Sequence, residues 1–280
     1  MESVQVRELE WRFRVHLAPV ETAKALLLGI VQGLTEFLPV SSSGHLVIAQ
    51  ALLGVEPGAG IVFEVAVHLA TLVAILLFYR RRVVDLTLGA VTAHPGSWRY
   101  IGKLFVATLP AVAAALIARD WIERQFESTA VAAVCLLVTG GIVWSTRYTL
   151  KREGSLEPTW LAAILIGCAQ MVAILPGISR SGSTVALALA LGLAPLAAAE
   201  FSFLLGVIAM AGAGVLLLPE LTAVSGAELI NTAFGCAAAL VSGLIALKLF
   251  IWLLREQRFH LFAWYAWALG AATLIALSIR

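Results

Sequence analysis

Apolar residues run through this chain in long blocks, without the one-faced or alternating patterns of water-soluble helices and strands. Six blocks, at about 61–80, 99–118, 128–148, 197–218, 228–252 and 258–279, each hold roughly the 20 predominantly apolar residues that carry a helix across a bilayer core. Two further apolar stretches, 22–54 and 158–193, are interrupted. The first breaks within GIVQGLTEFLPVSSSG, from Gly29 to Gly44, and the second within GCAQMVAILPGISRSG, from Gly167 to Gly182. After each break only a short run remains, His45 to Gly54 and Ser183 to Leu193. At about 1.5 Å per residue such a run is half a membrane long. The pattern predicts re-entrant helical hairpins or discontinuous helices at both places.

The two broken segments are copies. Laid over one another without a gap, 138 positions apart (167 − 29), they match at Gly29/Gly167, Gln32/Gln170, Ser41/Ser179, Ser43/Ser181 and Gly44/Gly182. The same offset continues to Val47/Val185, Leu53/Leu191 and Gly54/Gly192. If neither hairpin crosses the membrane, three full spans follow each, and an odd number inverts the second half relative to the first. That is the inverted-repeat plan, in which both breaks meet near the midplane. The expected fold is an all-α integral membrane protein of about six full transmembrane helices plus two re-entrant or broken hairpins. It forms one transmembrane domain over residues 22–280, with halves of about 22–150 and 158–280.

Composition agrees with this pattern. The chain is 61% hydrophobic and 13% charged, with a mean hydropathy of +0.95, too little polar surface for a soluble domain of this length. A net charge of +2 with no basic block gives no sign of a nucleic-acid partner. Cys135, Cys168 and Cys236 all lie in apolar segments without metal or redox spacing and read as small packing residues. The stretch 1–21, with Arg7, Arg12, Arg14, Glu2, Glu8 and Glu10, is too charged for a signal peptide and reads as a surface helix or mobile arm. Arg80, Arg81 and Arg82 follow the first full span, and Arg147, Lys151 and Arg152 the third. Both loops fall on one side under either topology, and the positive-inside rule makes that side cytoplasmic. Loop charge does not decide the hairpins. If neither crosses, Lys248, Arg255 and Arg258 are also inside and the basic N-terminus is outside; if both cross, these reverse.

The copies differ where chemistry is concerned. Glu36 stands opposite Ile174, and Ser42 opposite Arg180. An ionisable group at bilayer depth costs at least ~2.5–3.5 kcal/mol, so it faces a partner or a water-filled cavity. Arg180 has the planar fork that holds two phosphate oxygens. Ser179, Ser181, Ser183 and Thr184 surround it with hydroxyls, Gly177 and Gly182 admit close backbone approach, and a helix N-terminus opens near Gly182. In the first copy Ser41, Ser42, Ser43 and His45 fall within six residues after Pro39. His45 is near enough in sequence to act as base for Ser42, or the serines cap a helix and the histidine is a hydrogen-bonded structural group. Glu36 and Gln32, one helical turn apart, could hold a divalent cation or a catalytic water. Glu64 and His68 share a face by i, i+4 spacing, as a second layer of the site or as interhelical hydrogen bonds; Glu200 also lies within a span. Gln170 reads as structural and Pro110 as a helix kink.

QGLTEFLPVSSSGH and LPGISRSGST strongly resemble the signature segments of the undecaprenyl-diphosphate phosphatase family, the bacitracin-resistance proteins. FEVAVHLATLVAILLFYRR, from Phe63, and AEFSFLL, from Ala199, are also similar to family segments, and the resemblance covers nearly the whole chain after about residue 22. It implies an enzyme that removes the terminal phosphate of undecaprenyl diphosphate and so recycles the lipid carrier for peptidoglycan, conferring bacitracin resistance. It implies an acidic motif on Gln32 and Glu36, a serine–histidine motif on Ser42 and His45, and an arginine motif on Ser179, Arg180, Ser181 and Thr184. A divalent cation, magnesium or calcium, is the implied cofactor. The implied partners are the polyprenyl diphosphate lipid and the bilayer, with a homodimer as a further possibility. The implied location is the bacterial cytoplasmic membrane, multi-pass, with the site facing outward. Gln32 at the first acidic position argues against assuming a two-carboxylate metal site. Gly206-Val207-Ile208 stands where proline often follows FSFLL. The expected mechanism is attack by Ser42 with His45 as base, in a pocket where Arg180, Ser41, Ser43, Ser179, Ser181, Ser183 and Thr184 bind phosphate. A variant has water attack directly. The rival reading is a transporter, since broken helices in inverted repeats also suit a flippase of undecaprenyl phosphate.

Overall fold

The computed structural model describes residues 22–53, 61–150, 153–216 and 226–279. The charged stretch 1–21, Gly54, and Lys151 with Arg152 lie outside the described residues. Among the described residues twelve α-helices follow one another: α1 (Thr22–Phe37), α2 (Ser42–Leu53), α3 (Ile61–Phe78), α4 (Arg80–Val91), α5 (Pro95–Ile117), α6 (Arg119–Phe126), α7 (Thr129–Thr149), α8 (Trp160–Val172), α9 (Arg180–Ala190), α10 (Pro195–Leu216), α11 (Gly226–Arg255) and α12 (Phe262–Ile279). Five of these (α5, α7, α10, α11 and α12) are long and apolar enough to cross a bilayer. The sixth expected span is α3, which turns by 79° at Tyr79 into α4, a helix that opens on Arg80, Arg81 and Arg82. Pro110 lies inside α5, which runs on through it.

The hairpins take their form from the two breaks. α1 packs on α2 and α8 on α9, and α2, α8 and α9, at 11 to 13 residues, are each too short to cross alone. Backbone pairing settles the course of the second hairpin. Ser155, ahead of α8, bridges Leu193, beyond α9; its N–H donates to Gly192 O at 2.9 Å, and Ala194 N–H donates to its carbonyl at 2.9 Å. The hairpin therefore returns to the face it left. That face carries Arg82, whose Nε donates to Glu200 in the first turns of α10 at 2.8 Å. On the opposite face Thr22, at the start of α1, donates to Asn231 near the start of α11 at 2.7 Å. The first hairpin thus dips from one face, the second from the other, and the three spans after each run in opposite senses.

The halves interlock. α1 lies on α11, and α8 on α5, so each hairpin packs against the second span of the other half. The matched glycines make this possible: a Cβ at Gly29 would strike the Gly235 carbonyl, and one at Gly167 the Ala107 carbonyl. The first spans, α3 and α10, meet each other, as do the third spans, α7 and α12. Through the middle runs a chain of edge-on aromatic contacts, Phe37–Phe203 (5.7 Å), Phe203–Phe250 (4.9 Å) and Phe250–Phe259 (5.1 Å), which ties α1, α10 and α11 to the turn before α12.

Candidate active site

Both breaks come together beside α7. Gly177, in the second break, adopts φ +95°, and a side chain there would also meet Ala132 O and Cys135. Its N–H donates to Ser41 Oγ in the first break at 3.1 Å, and Ser181 Oγ donates back to Leu38 O at 3.2 Å. Thr139 of α7 fastens the second break from behind: its hydroxyl donates to Gly177 O (2.7 Å) and accepts from Ser179 N–H (2.9 Å). Inside each break the duplication repeats its own geometry. Ser41 and Ser43 hydroxyls lie 3.2 Å apart, as do those of Ser179 and Ser181. Gly44 N–H caps onto Ser41 Oγ as Gly182 N–H does onto Ser179 Oγ. Ser41, at φ 68°, is the one non-glycine residue of the two breaks in the left-handed region, where it is held at a cost of order 1–3 kcal/mol by its surroundings.

The divergent residues converge on one carboxylate. Glu36 Oε1 accepts from Arg180 Nη2 at 2.5 Å; Oε2 accepts from Ser42 Oγ at 2.5 Å and from Gln32 Nε2 at 3.0 Å. His68 Nε2 stands 3.7 Å from the same Oε2. At Gly206 a Cβ would land on the Arg180 guanidinium, so this position after FSFLL leaves room for the arginine. A cavity of about 660 Å³ opens over this group. Its polar lining includes Glu36, Ser41, Ser42, Ser43, Ser179 and Arg180, with Gln50, Glu64 and His68 beside them. Leu46, Val47, Val65, Leu69, Met210 and Gly214 give it apolar walls, and Glu123, Phe126 and Glu127 form its lip at α6. That lip lies on the face opposite Arg82 and Arg147.

Several expected site residues sit elsewhere. His45 does not serve Ser42. Its Nδ1 lies 2.7 Å from Ser41 O, a carbonyl that only accepts, so Nδ1 carries the proton; Nε2 then accepts from Tyr265 Oη at 2.8 Å. With both nitrogens engaged and its ring stacked at 5.6 Å on Tyr265, His45 is a clamp on the strained Ser41 turn. Ser181, Ser183 and Thr184 are buried behind the cavity and do not line it. Thr184 Oγ1 bonds Arg180 O at 2.7 Å and Ser202 at 2.5 Å, which positions α9 without facing a ligand. Gln170, the counterpart of Gln32, is buried with neither amide atom paired, because Ile174 replaces the carboxylate that Gln32 finds.

The side chains around Glu36 do not form a donor set for a resident divalent cation. Among the described residues no three His, Cys, Asp or Glu side chains gather to hold a metal. Glu36 already accepts from an arginine, a serine and an amide, and Gln32 turns its N–H, not its oxygen, toward it. A resident calcium ion takes six to eight oxygens, and magnesium keeps waters but still needs a free carboxylate or two. Glu36 and Gln32 do not fit a resident metal site.

Tyr265 and Gly206 left no local sign of these roles in the sequence; the Glu64/His68 spacing did, and His68 proves to face Glu36.

The chain matches the family described as Bacitracin resistance protein BacA over residues 25–272. It is 39% identical over 258 residues to the undecaprenyl-diphosphatase of Carboxydothermus hydrogenoformans, covering 90% of this chain and 96% of that protein. It is 40% identical over 265 residues to that of Alcanivorax borkumensis, covering 91% and 98%. For the Acinetobacter baumannii protein of the same name the identity is 34% over 260 residues, covering 91% and 96%.

Proposed function

This chain belongs to the Bacitracin resistance protein BacA family, and from that premise we propose how it works as an undecaprenyl-diphosphatase. It is a membrane hydrolase that converts undecaprenyl diphosphate to undecaprenyl phosphate and inorganic phosphate. One observation carries the mechanism: Ser42 and Arg180, aligned positions of the two repeats, are wired to the same carboxylate on the floor of the cavity. Ser42 Oγ attacks the terminal phosphorus while its proton passes to Glu36 Oε2. The bond from that phosphorus to the bridging oxygen breaks, and undecaprenyl phosphate leaves with the electron pair and the proton from Glu36. Water then attacks the phosphoserine, and its proton returns through Glu36 to Ser42 as inorganic phosphate departs. Arg180, with Ser41, Ser43 and Ser179 beside it, stabilises charge on the phosphoryl oxygens. The prenyl tail lies along the apolar wall of Leu46, Val47, Leu69 and Met210 and out between the helices.

In this reading the expected magnesium or calcium ion travels with the diphosphate's own oxygens and is not stored by the protein. The reading also places the chain in the bacterial cytoplasmic membrane with the cavity opening outward. Support comes from charge: Arg80, Arg81, Arg82, Arg147, Arg255 and Arg258 share the face opposite the lip formed by Glu123 and Glu127. A membrane-impermeant thiol reagent applied to intact cells labels Glu127→Cys and spares Arg81→Cys; the reverse overturns the orientation.

The test of function is phosphate release from the lipid diphosphate by purified protein in detergent. Ser42→Ala and Glu36→Gln each lose about 10²–10⁴-fold in kcat, the worth of a proton acceptor or nucleophile. Wild-type rates in either variant overturn the scheme. The flippase reading is not favoured, since carrying a phosphate across needs no serine held on a carboxylate. Lipid movement in proteoliposomes without phosphate release would restore it.

A further inference from the structure

With His45 sealed between Ser41 and Tyr265, the cavity still contains an imidazole with a free nitrogen. His68 lies on α3, its side chain 32% exposed within the cavity lining. Its Nδ1 sits 2.7 Å from Glu64 O, and since a carbonyl cannot donate, Nδ1 carries a proton; in the neutral ring Nε2 then presents a lone pair. That lone pair faces Glu36 Oε2 at 3.7 Å. Two acceptors facing each other repel unless a donor lies between, and 3.7 Å is too long for a direct hydrogen bond. A water molecule at the apex of the two satisfies both, giving one hydrogen to Nε2 and one to Oε2. Its own lone pair is then free for an electrophile beside Ser42, which already touches the same Oε2.

We propose that His68 is a positioning residue for the hydrolytic water, seating it between its Nε2 and Glu36 Oε2 for attack on the phosphoserine. The inference rests on the serine route above and adds to it one group, which acts on the second step and not the first. Glu36 is the nearest charge and is balanced by Arg180; Glu64 accepts from Gln50 Nε2 at 2.6 Å; Glu123 and Glu127 stand at the lip; and α10 brings only Met210 and Gly214 to this cavity. What the seat requires of position 68 is an acceptor atom at the right reach, which glutamine also supplies.

The experiment compares His68→Leu with His68→Gln in detergent-purified protein. Inorganic phosphate and undecaprenyl phosphate are followed separately, and matching thermal unfolding verifies the fold. His68→Leu is expected to slow kcat about 10²-fold while still releasing one equivalent of undecaprenyl phosphate in a burst, with phosphate trapped on Ser42. His68→Gln is expected to recover most of the rate and to lose the burst. Wild-type turnover by the leucine variant overturns the proposal, as does a slow variant with neither burst nor rescue. Slowing that glutamine rescues without any trapped phosphate keeps the water seat and overturns the serine route. Absence of phosphate release from the wild type overturns the functional reading itself.

Discussion

Arg180 and Glu36 lie 144 residues apart, on opposite halves of the repeat, and meet through a 2.5 Å contact from Nη2 to Oε1. Their pairing is at once the centre of the proposed chemistry and, with Arg82 and Glu200, one of the places where the halves are joined by charge.

Stability and activity should therefore separate at this pair. Arg180→Met leaves Glu36 buried without its cation, a loss of about 3–5 kcal/mol. Adding Glu36→Gln should restore much of that stability, by thermal unfolding in detergent, and none of the phosphate release. Arg180→Lys should retain the fold but lose about 10²-fold or more in kcat, because an ammonium lacks the planar fork.

Gly206→Ala places a methyl on the Arg180 guanidinium. A shift of about 1 Å in that group is expected to lower kcat about 10²-fold. Gly212→Ala, on the same helix with nothing within 4 Å of the new methyl, should leave turnover intact. Phosphate-release kinetics of the two variants side by side provide the check.

Tyr265→Phe removes the only donor to His45 Nε2 among the described residues. The loss should cost about 1–3 kcal/mol of stability and loosen the Ser41 turn, lowering activity indirectly. Imidazole added to His45→Ala should not restore activity, since His45 does not line the cavity. Unfolding temperature and phosphate release, measured on both variants, test the clamp.

Manganese added to lipid-free protein should give the spectrum of the free aqueous ion by electron paramagnetic resonance. Binding should appear only once the lipid diphosphate is present. Chelation of divalent cations should leave the unfolding temperature of the lipid-free protein unchanged, because Glu36 is held by Arg180, Ser42 and Gln32 instead.

Much of this architecture was legible in the sequence because duplication leaves matched residues at a fixed offset, and divergence then stands out against it. Glu36, Ser42 and Arg180 were found that way, and the structure joins all three. The re-entrant course of the hairpins was not readable from charge, since loop arginines count spans and are silent about segments that turn back. It took the backbone pairing of Ser155 with Leu193 to decide the second hairpin, and the contact of Thr22 with Asn231 to place the first. His45 misled for a different reason. Nearness in sequence to Ser42 says nothing of ring direction, and its partner Tyr265 is 220 residues away. Ser181, Ser183 and Thr184 share a short motif with Arg180, yet one helical turn points side chains in several directions, and these three point into protein. Thr139, which holds both ends of the second break, carries no sign beyond being a polar residue in an apolar span.

The shared carboxylate also sets an order of events during synthesis. Glu36 is delivered to the membrane long before its counter-charge exists: at ~5–20 residues per second, the 144 residues to Arg180 take roughly 7–30 s to translate. Through that interval the first hairpin carries an uncompensated acid and has no α11 to lie against. Its burial is therefore a late event, completed when the second hairpin and the spans behind it arrive. A chain that stops after α7 keeps Ser42, Gln32 and His68 beside Glu36 but lacks both Arg180 and α11, the form in which a membrane quality-control protease would meet it.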